Sequence, residues 1–363
     1  MVLFDERNSD QRFRSRIANM VGHELAHQWA GNLVTMEWIC HLGWLAETMS
    51  EAFNLDSIRN SHPIEVPVRS ALEVAQIFDA ISYLKGSWVV RMLSAHLSGE
   101  VFLHGVAKYL KKHADGNANT NDLWSALSDA SGQDVNQIMG HGTKSIGLSV
   151  VIVIEEESDQ ITLQQSGFLL SGDVKQEEDQ TIWTIPLALR LALRPAKSAS
   201  GLSRKTLFTT STIEDKIGLV GDAAALANAG YCTTPALLSL IEVIGDEDNY
   251  MVWSSVMTAL GRVRSVFSSG RTSDGLTAFK LKLISPAVKS IGWKFDPEKE
   301  DLLHRELHAL LLESAGLAGH RLTIKEALSQ FERYPARSDR TAIHLSLRSA
   351  VFRISVKTHG KPA

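Results

Sequence analysis

His23-Glu24-Leu25-Ala26-His27 is the stretch of this sequence whose residue types and spacing can do chemistry. Residues four apart share a helix face, so His23 and His27 can turn imidazole nitrogens toward one metal ion. Glu24 stands one step round the helix from His23. From there its carboxylate can take a proton from an activated water and pass it to a leaving amine. Two imidazoles and a carboxylate suit zinc, which keeps a fourth position for water and brings that water's pKa near neutral. A second pair at the same spacing, His304 and His308, has no glutamate in the second position and sits among leucines. It reads as surface or core histidines.

The motif needs a helix, and residues 11–30 read as one, with Ile17, Met20, Val21 and Leu25 at three- and four-residue spacing. Residues 32–36 read as a turn and an extended piece. Two or three amphipathic helices are expected over 70–113, the first carrying Ala71, Leu72, Val74, Ile77 and Phe78, the next Trp88, Val89, Met92 and Leu93. Asn119-Thr120-Asn121-Asp122 before Leu123-Trp124 is a helix start. From 150 to 183, β-branched runs alternate with acidic turns, and 150–154, 161–163 and 182–187 are expected strands of a small β-domain. Residues 195–212 read as a linker. Beyond Glu214 the chain reads as an α-helical array without a strict repeat, with segments such as 219–229 and 235–244.

The 363 residues, 44% hydrophobic and 21% charged, have globular composition and enough length for two or three domains. A net charge of −4 gives no global argument for nucleic acid or an anionic membrane. No apolar run is long enough for a transmembrane helix. The two cysteines, Cys40 and Cys232, make no disulfide framework, the first residues are too charged for a signal peptide, and no Asn-x-Ser/Thr site occurs. These features point to a reducing, cytoplasmic setting.

The run from His23 through Gln28-Trp29-Ala30-Gly31-Asn32-Leu33-Val34-Thr35-Met36-Glu37-Trp38 resembles the gluzincin aminopeptidases of the alanyl and puromycin-sensitive type, with the texture of the fungal cytosolic members. Ser61-His62-Pro63-Ile64-Glu65-Val66 and Ile77-Phe78-Asp79-Ala80-Ile81-Ser82-Tyr83-Leu84-Lys85-Gly86 resemble later blocks of the same catalytic domain. Gly218-Leu219-Val220-Gly221-Asp222-Ala223 and Leu347-Arg348-Ser349-Ala350-Val351-Phe352 resemble blocks of the family's helical C-terminal domain.

The resemblance implies a zinc enzyme that removes N-terminal residues from peptides. His23 and His27 would be metal ligands, Glu24 the general base, and Tyr83 the donor to the oxyanion. It implies a third ligand, a glutamate from the next helix. The family's spacing falls on Ala46, so Glu47 serves if one residue is inserted before it. Otherwise the ligand block is deleted, with Cys40 and His41 as possible substitutes. The family's amine-binding Gly-Ala-Met-Glu-Asn block has no counterpart here, and the chain is shorter than the family between Glu47 and Ser61 and again between Arg194 and Glu214. The implied fold is α+β: residues 1–142 the helical part of a thermolysin-like domain, 143–205 a small β-sandwich, 206–363 part of a helical array. The implied function is zinc-dependent aminopeptidase with peptides as partners. The alternative is a catalytically inactive remnant acting as a helical scaffold.

Overall fold

The structure is a computed structural model that describes residues 11–36, 49–67, 70, 79, 81–155, 161–187, 211–244, 247–295, 302–336 and 343–360. The chain divides into two compact units, Ala18–Arg194 and a second that takes in Met1–Ile17 and Pro195–Ala363. The described residues are mostly helical, with two small two-stranded sheets.

Helix α1 (Gln11–Ala26) carries the histidine motif and ends four residues before the expected residue 30. The N–H groups of Gln28 and Trp29 donate to carbonyls only three residues back, Leu25 and Ala26, each at 3.1 Å. Gly31 then reverses the chain with a φ of 134°, a conformation that a Cβ would strain. Met20, Val21 and Leu25, whose spacing marks the helix, are exposed and not in a core. Strand β1 (Val34–Met36) follows at once and pairs in parallel with β2 (Gly116–Ala118). Val34 is fully buried in a cluster with Tyr109, Ala118 and Ala126, and the Asp115 N–H donates to Leu33 O at 2.7 Å. The motif's exit is thereby tied to the frame of the unit.

That frame is helical. It comprises α2 (Met49–Asp56), a π-helical turn (Ile81–Lys85), α3 (Gly86–Leu97), α4 (Gly99–Lys112), α5 (Thr120–Ser131) and α6 (Val135–Lys144). The expected helix with Ala71 to Phe78 lies outside the described residues. Helix α5 starts where the sequence predicts. The Asn119 side chain accepts the Asp122 N–H at 3.1 Å while the Asp122 carboxylate accepts the Asn119 N–H at 2.9 Å. Such a capping box contributes about 1 kcal/mol.

Leu93, Phe102, Trp124, Leu127 and Met139 from α3 to α6 form the core beneath. Helices α4 and α5 approach so closely at Gly105 that a Cβ there would sit 2.7 Å from Leu127 Cδ2 and 3.1 Å from Leu127 Cα. The backbone atom cannot rotate away, so Gly105→Ala should part the helices and cost about 1–3 kcal/mol. A lowered urea midpoint checks this, and an unchanged midpoint would contradict the close approach.

Strands β3 (Leu148–Glu155) and β4 (Ile161–Phe168) form an antiparallel hairpin with Leu148 opposite Phe168 and Glu155 opposite Ile161. The strand expected at 182–187 does not form. The side-chain amide of Gln165 takes both backbone groups of Trp183, accepting its N–H at 2.8 Å and donating to its carbonyl at 3.0 Å. One side chain thus replaces one ladder pair and cannot propagate, and Pro186 has no N–H to extend it. Arg59, just past α2, holds the segment after β4 through Glu178 at 2.8 Å and the Asp173 carbonyl at 2.8 Å.

The second unit packs α7 (Ile213–Asn228), α8 (Thr234–Ile241), α9 (Tyr250–Val266), α10 (Gly270–Ile291), α11 (Leu302–Ala318), α12 (Arg321–Ala336) and α13 (Arg348–His359). The expected segments 219–229 and 235–244 correspond to α7 and to α8 with its 3-10 extension Glu242–Ile244. Val220, Trp253, Val256, Leu311, Leu312 and Val351 lie in its core, and Trp253 donates its indole N–H to Glu247 O at 2.8 Å. Most of the expected linker, residues 195–210, lies outside the described residues. Among the described residues no helix is long and apolar enough to cross a membrane.

Candidate metal and catalytic site

His23 and His27 meet as their spacing predicts. The His27 N–H still donates to His23 O at 3.2 Å, one residue beyond the end of α1. The two rings lie edge to face with centroids 4.6 Å apart, and their Nε2 atoms are 3.1 Å apart. The other nitrogen of His27 is 3.1 Å from the carbonyl of Ala30. A carbonyl only accepts, so Nδ1 carries the proton and Nε2 presents a lone pair, the tautomer that binds a metal. Gly31 follows at once, turning the chain with its positive φ just past the carbonyl that faces His27 Nδ1.

The spacing of the two histidine nitrogens fits zinc. Zinc–nitrogen bonds of about 2.0–2.1 Å in a tetrahedron separate two ring nitrogens by about 3.3 Å, close to the observed 3.1 Å. Glu47, Cys40 and His41 lie outside the described residues. Among the described residues no group of three His, Cys, Asp or Glu side chains could hold a metal. His304 is exposed and His308 is buried, stacked on Phe295 at 4.9 Å, in keeping with surface and core roles.

Glu24 is exposed on α1. Tyr83 stands in the π-helical turn, and its phenol is held above its usual pKa by burial and by the charge of Glu24. Glu24 and the Tyr83 phenol are therefore electrostatically coupled, in the direction that keeps the phenol protonated.

The turn that carries Tyr83 is fastened at both ends by residues to which the motif reading gave no role. At its start, Asp79 Oδ1 accepts the N–H groups of Ile81 at 2.9 Å and Ser82 at 3.1 Å, while the Tyr83 N–H donates to Asp79 O at 3.1 Å. Asp79 Oδ2 lies 2.6 Å from His62 Nε2. At its end, Lys85 is buried with its ammonium 2.8 Å from Asp56 Oδ2 and bonded to the carbonyls of Ser145 at 3.2 Å and Gly147 at 3.3 Å. Asp56 Oδ1 in turn accepts from Ser61 Oγ at 2.9 Å and the Gly147 N–H at 3.1 Å. Nothing in the spacing links positions 17 or 29 residues apart. The available sign was that His62, Asp79 and Lys85 fall in the two blocks that resemble the family's catalytic domain.

Residues 1–54 and 45–141 match the Peptidase family M1 domain, and residues 192–363 match the ERAP1-like C-terminal domain. The chain belongs to the M1 peptidase family. It is 34% identical to Aminopeptidase 2 of Candida albicans over 98% of its length, and 35% identical to the Alanine/arginine aminopeptidase of Saccharomyces cerevisiae over 99%. It is 30% identical to Aminopeptidase M1 of Arabidopsis thaliana over 97%. The chain spans about half the length of these relatives, 45%, 49% and 48% respectively. The alignment to the Candida protein runs over 422 residues against 363 in this M1 chain, so the relative holds residues inside the matched span that are missing here. The two stretches that match the M1 domain overlap at residues 45–54, and Glu47 falls in that overlap.

Proposed function

We propose that this chain carries the site of a zinc-dependent aminopeptidase that hydrolyses the N-terminal peptide bond of peptides. The observation that carries the reading is the convergence of the His23 and His27 Nε2 atoms at 3.1 Å, with the His27 tautomer set by Ala30. His23 and His27 would hold the metal, with Glu47 as the third ligand. Zinc, when bound, polarises the scissile carbonyl and makes water a nucleophile near neutral pH.

The chain's own residues do the rest. Glu24 accepts the proton of the attacking water and returns it to the leaving amine. Tyr83, kept protonated by burial and by Glu24, donates its hydroxyl to the oxyanion that develops on the carbonyl oxygen. The relatives' printed names support peptides as substrates. The M1 match supports reading 1–142 as the thermolysin-like part, and the β3–β4 hairpin supports β-structure within the 143–205 segment read as a β-sandwich. The ERAP1-like match supports 206–363 as the helical part. The cysteine count supports a cytoplasmic setting.

Metal analysis tests the centre. Purified protein should hold about one zinc per chain, and the His23→Ala, His27→Ala double variant should hold essentially none. Zinc content unchanged in that variant would overturn the assignment. Loss of zinc in Glu47→Ala with the fold intact is expected if Glu47 completes the set, and retention would remove it.

A further inference from the structure

His62 is unusual in having both ring nitrogens set against groups that only accept hydrogen bonds. Nδ1 is 2.8 Å from the carbonyl of Pro63 and Nε2 is 2.6 Å from the carboxylate of Asp79. A neutral imidazole has one N–H and could satisfy only one of them. The imidazolium satisfies both.

Its anion, Asp79, uses the second oxygen to cap the turn that carries Tyr83. That turn is π-helical, a conformation rare enough to need local support and common at functional sites. We propose that His62, held as an imidazolium, is a positioning residue for Tyr83, acting through Asp79 and the start of the π-helical turn. The inference rests on Tyr83 as the oxyanion donor of the proposed reaction.

The chain of contacts is short and directional. His62 fixes the Asp79 carboxylate, Asp79 fixes the N–H groups of Ile81 and Ser82, and Tyr83 is the next residue. Lys85 anchors the other end of the turn to Asp56, so the phenol's direction depends on the start of the turn staying closed. The charged groups acting on His62 are Asp79 at the turn and Asp56 at the end of α2. The charge acting on Tyr83 is Glu24 on α1. Partial burial pushes the imidazole's pKa down, but the hydrogen bonds to Asp79 and Pro63 and the charges of Asp79 and Asp56 outweigh it, holding the pKa above the usual histidine value. A raised folded pKa means that the contact stabilises fully below the unfolded value of about 6.5 and is lost as pH rises through the folded value.

The test reads Tyr83 directly, without zinc or turnover. The full chain has five tyrosines. With ring-labelled tyrosine, the Tyr83 resonance is identified by its loss in Tyr83→Phe. In the wild type the Tyr83 signal should move with the titration of the His62 ring above about pH 6.5. In His62→Gln that part of its response should vanish, with the signal held at its high-pH position, and the difference between the two proteins should be confined to Tyr83. Asp79→Asn keeps the capping oxygen and removes the charge, and it should shift the same response to lower pH. It serves if His62→Gln does not fold.

A Tyr83 response identical in wild type and His62→Gln would overturn the proposal. So would a change shared equally by Tyr109, Tyr231, Tyr250 and Tyr334, which marks general loosening. In turnover, His62→Gln should lower kcat with KM unchanged. If Tyr83 follows His62 but Tyr83→Phe leaves turnover intact, the catalytic reading fails and the coupling stands.

Discussion

Glu24→Gln is expected to lower hydrolysis of aminoacyl chromogenic amides by about 10²–10⁴-fold, the usual worth of a positioned general base. Gln preserves the size of the side chain and its place on α1 but has no basic oxygen to accept the water's proton. Zinc content should not change, because the two nitrogens that converge belong to His23 and His27. The substitution also has an effect that needs no substrate. Burial and the Glu24 charge together raise the Tyr83 pKa, so removing the charge should lower it by the second contribution and leave the first. Ultraviolet titration of the phenol against a Tyr83→Phe control reads that shift. Amide hydrolysis that survives in Glu24→Gln, or that persists with a chelator present, would mean that some other protein or group is responsible.

Lys85→Met should cost about 3–5 kcal/mol, because it strands the buried carboxylate of Asp56 without its cation. Both side chains are almost fully buried, 7% and 1% exposed. The ammonium also joins the carbonyls of Ser145 and Gly147 to the end of the turn, so the end of α2 and the 145–147 segment lose their common partner at once. Asp56→Leu should be comparably damaging by stranding the ammonium. The double variant Lys85→Met, Asp56→Leu should cost less than the sum of the two, since neither charge is then left alone. The loss should fall on the unfolding transition of the Ala18–Arg194 unit, which contains both residues. Single variants that each cost under about 1 kcal/mol would show that the pair is not a structural anchor.

Much of the helical framework was legible because it rests on local rules. Asn119 and Asp122 cap α5 through bonds that span three residues, and Thr212 and Asp215 repeat the device at α7. The strands β3 and β4 were visible as β-branched runs for the same reason. The third strand failed because Gln165 supplied by side chain what a ladder supplies by backbone, which no propensity records. The length of α1 was overestimated because past Ala26 the backbone tightens, with the N–H groups of Gln28 and Trp29 turning to carbonyls three residues back, and apolar spacing that ends at Leu25 does not mark that point.

The sequence by itself determined the chemistry that is available. Histidines four apart share a helix face, since one turn of backbone places them there, and the family follows from the His23-Glu24-Leu25-Ala26-His27 motif and the blocks beyond it. Only the tertiary structure decided how that chemistry is held. The His27 tautomer depends on the Ala30 carbonyl that faces its Nδ1. The turn that carries Tyr83 is fastened by His62 reaching Asp79 and by Lys85 reaching Asp56, contacts across 17 and 29 positions. The physical reason is that hydrogen-bond and charge pairing act over a few ångströms of space, and distance along a chain does not fix distance in space until the core has packed.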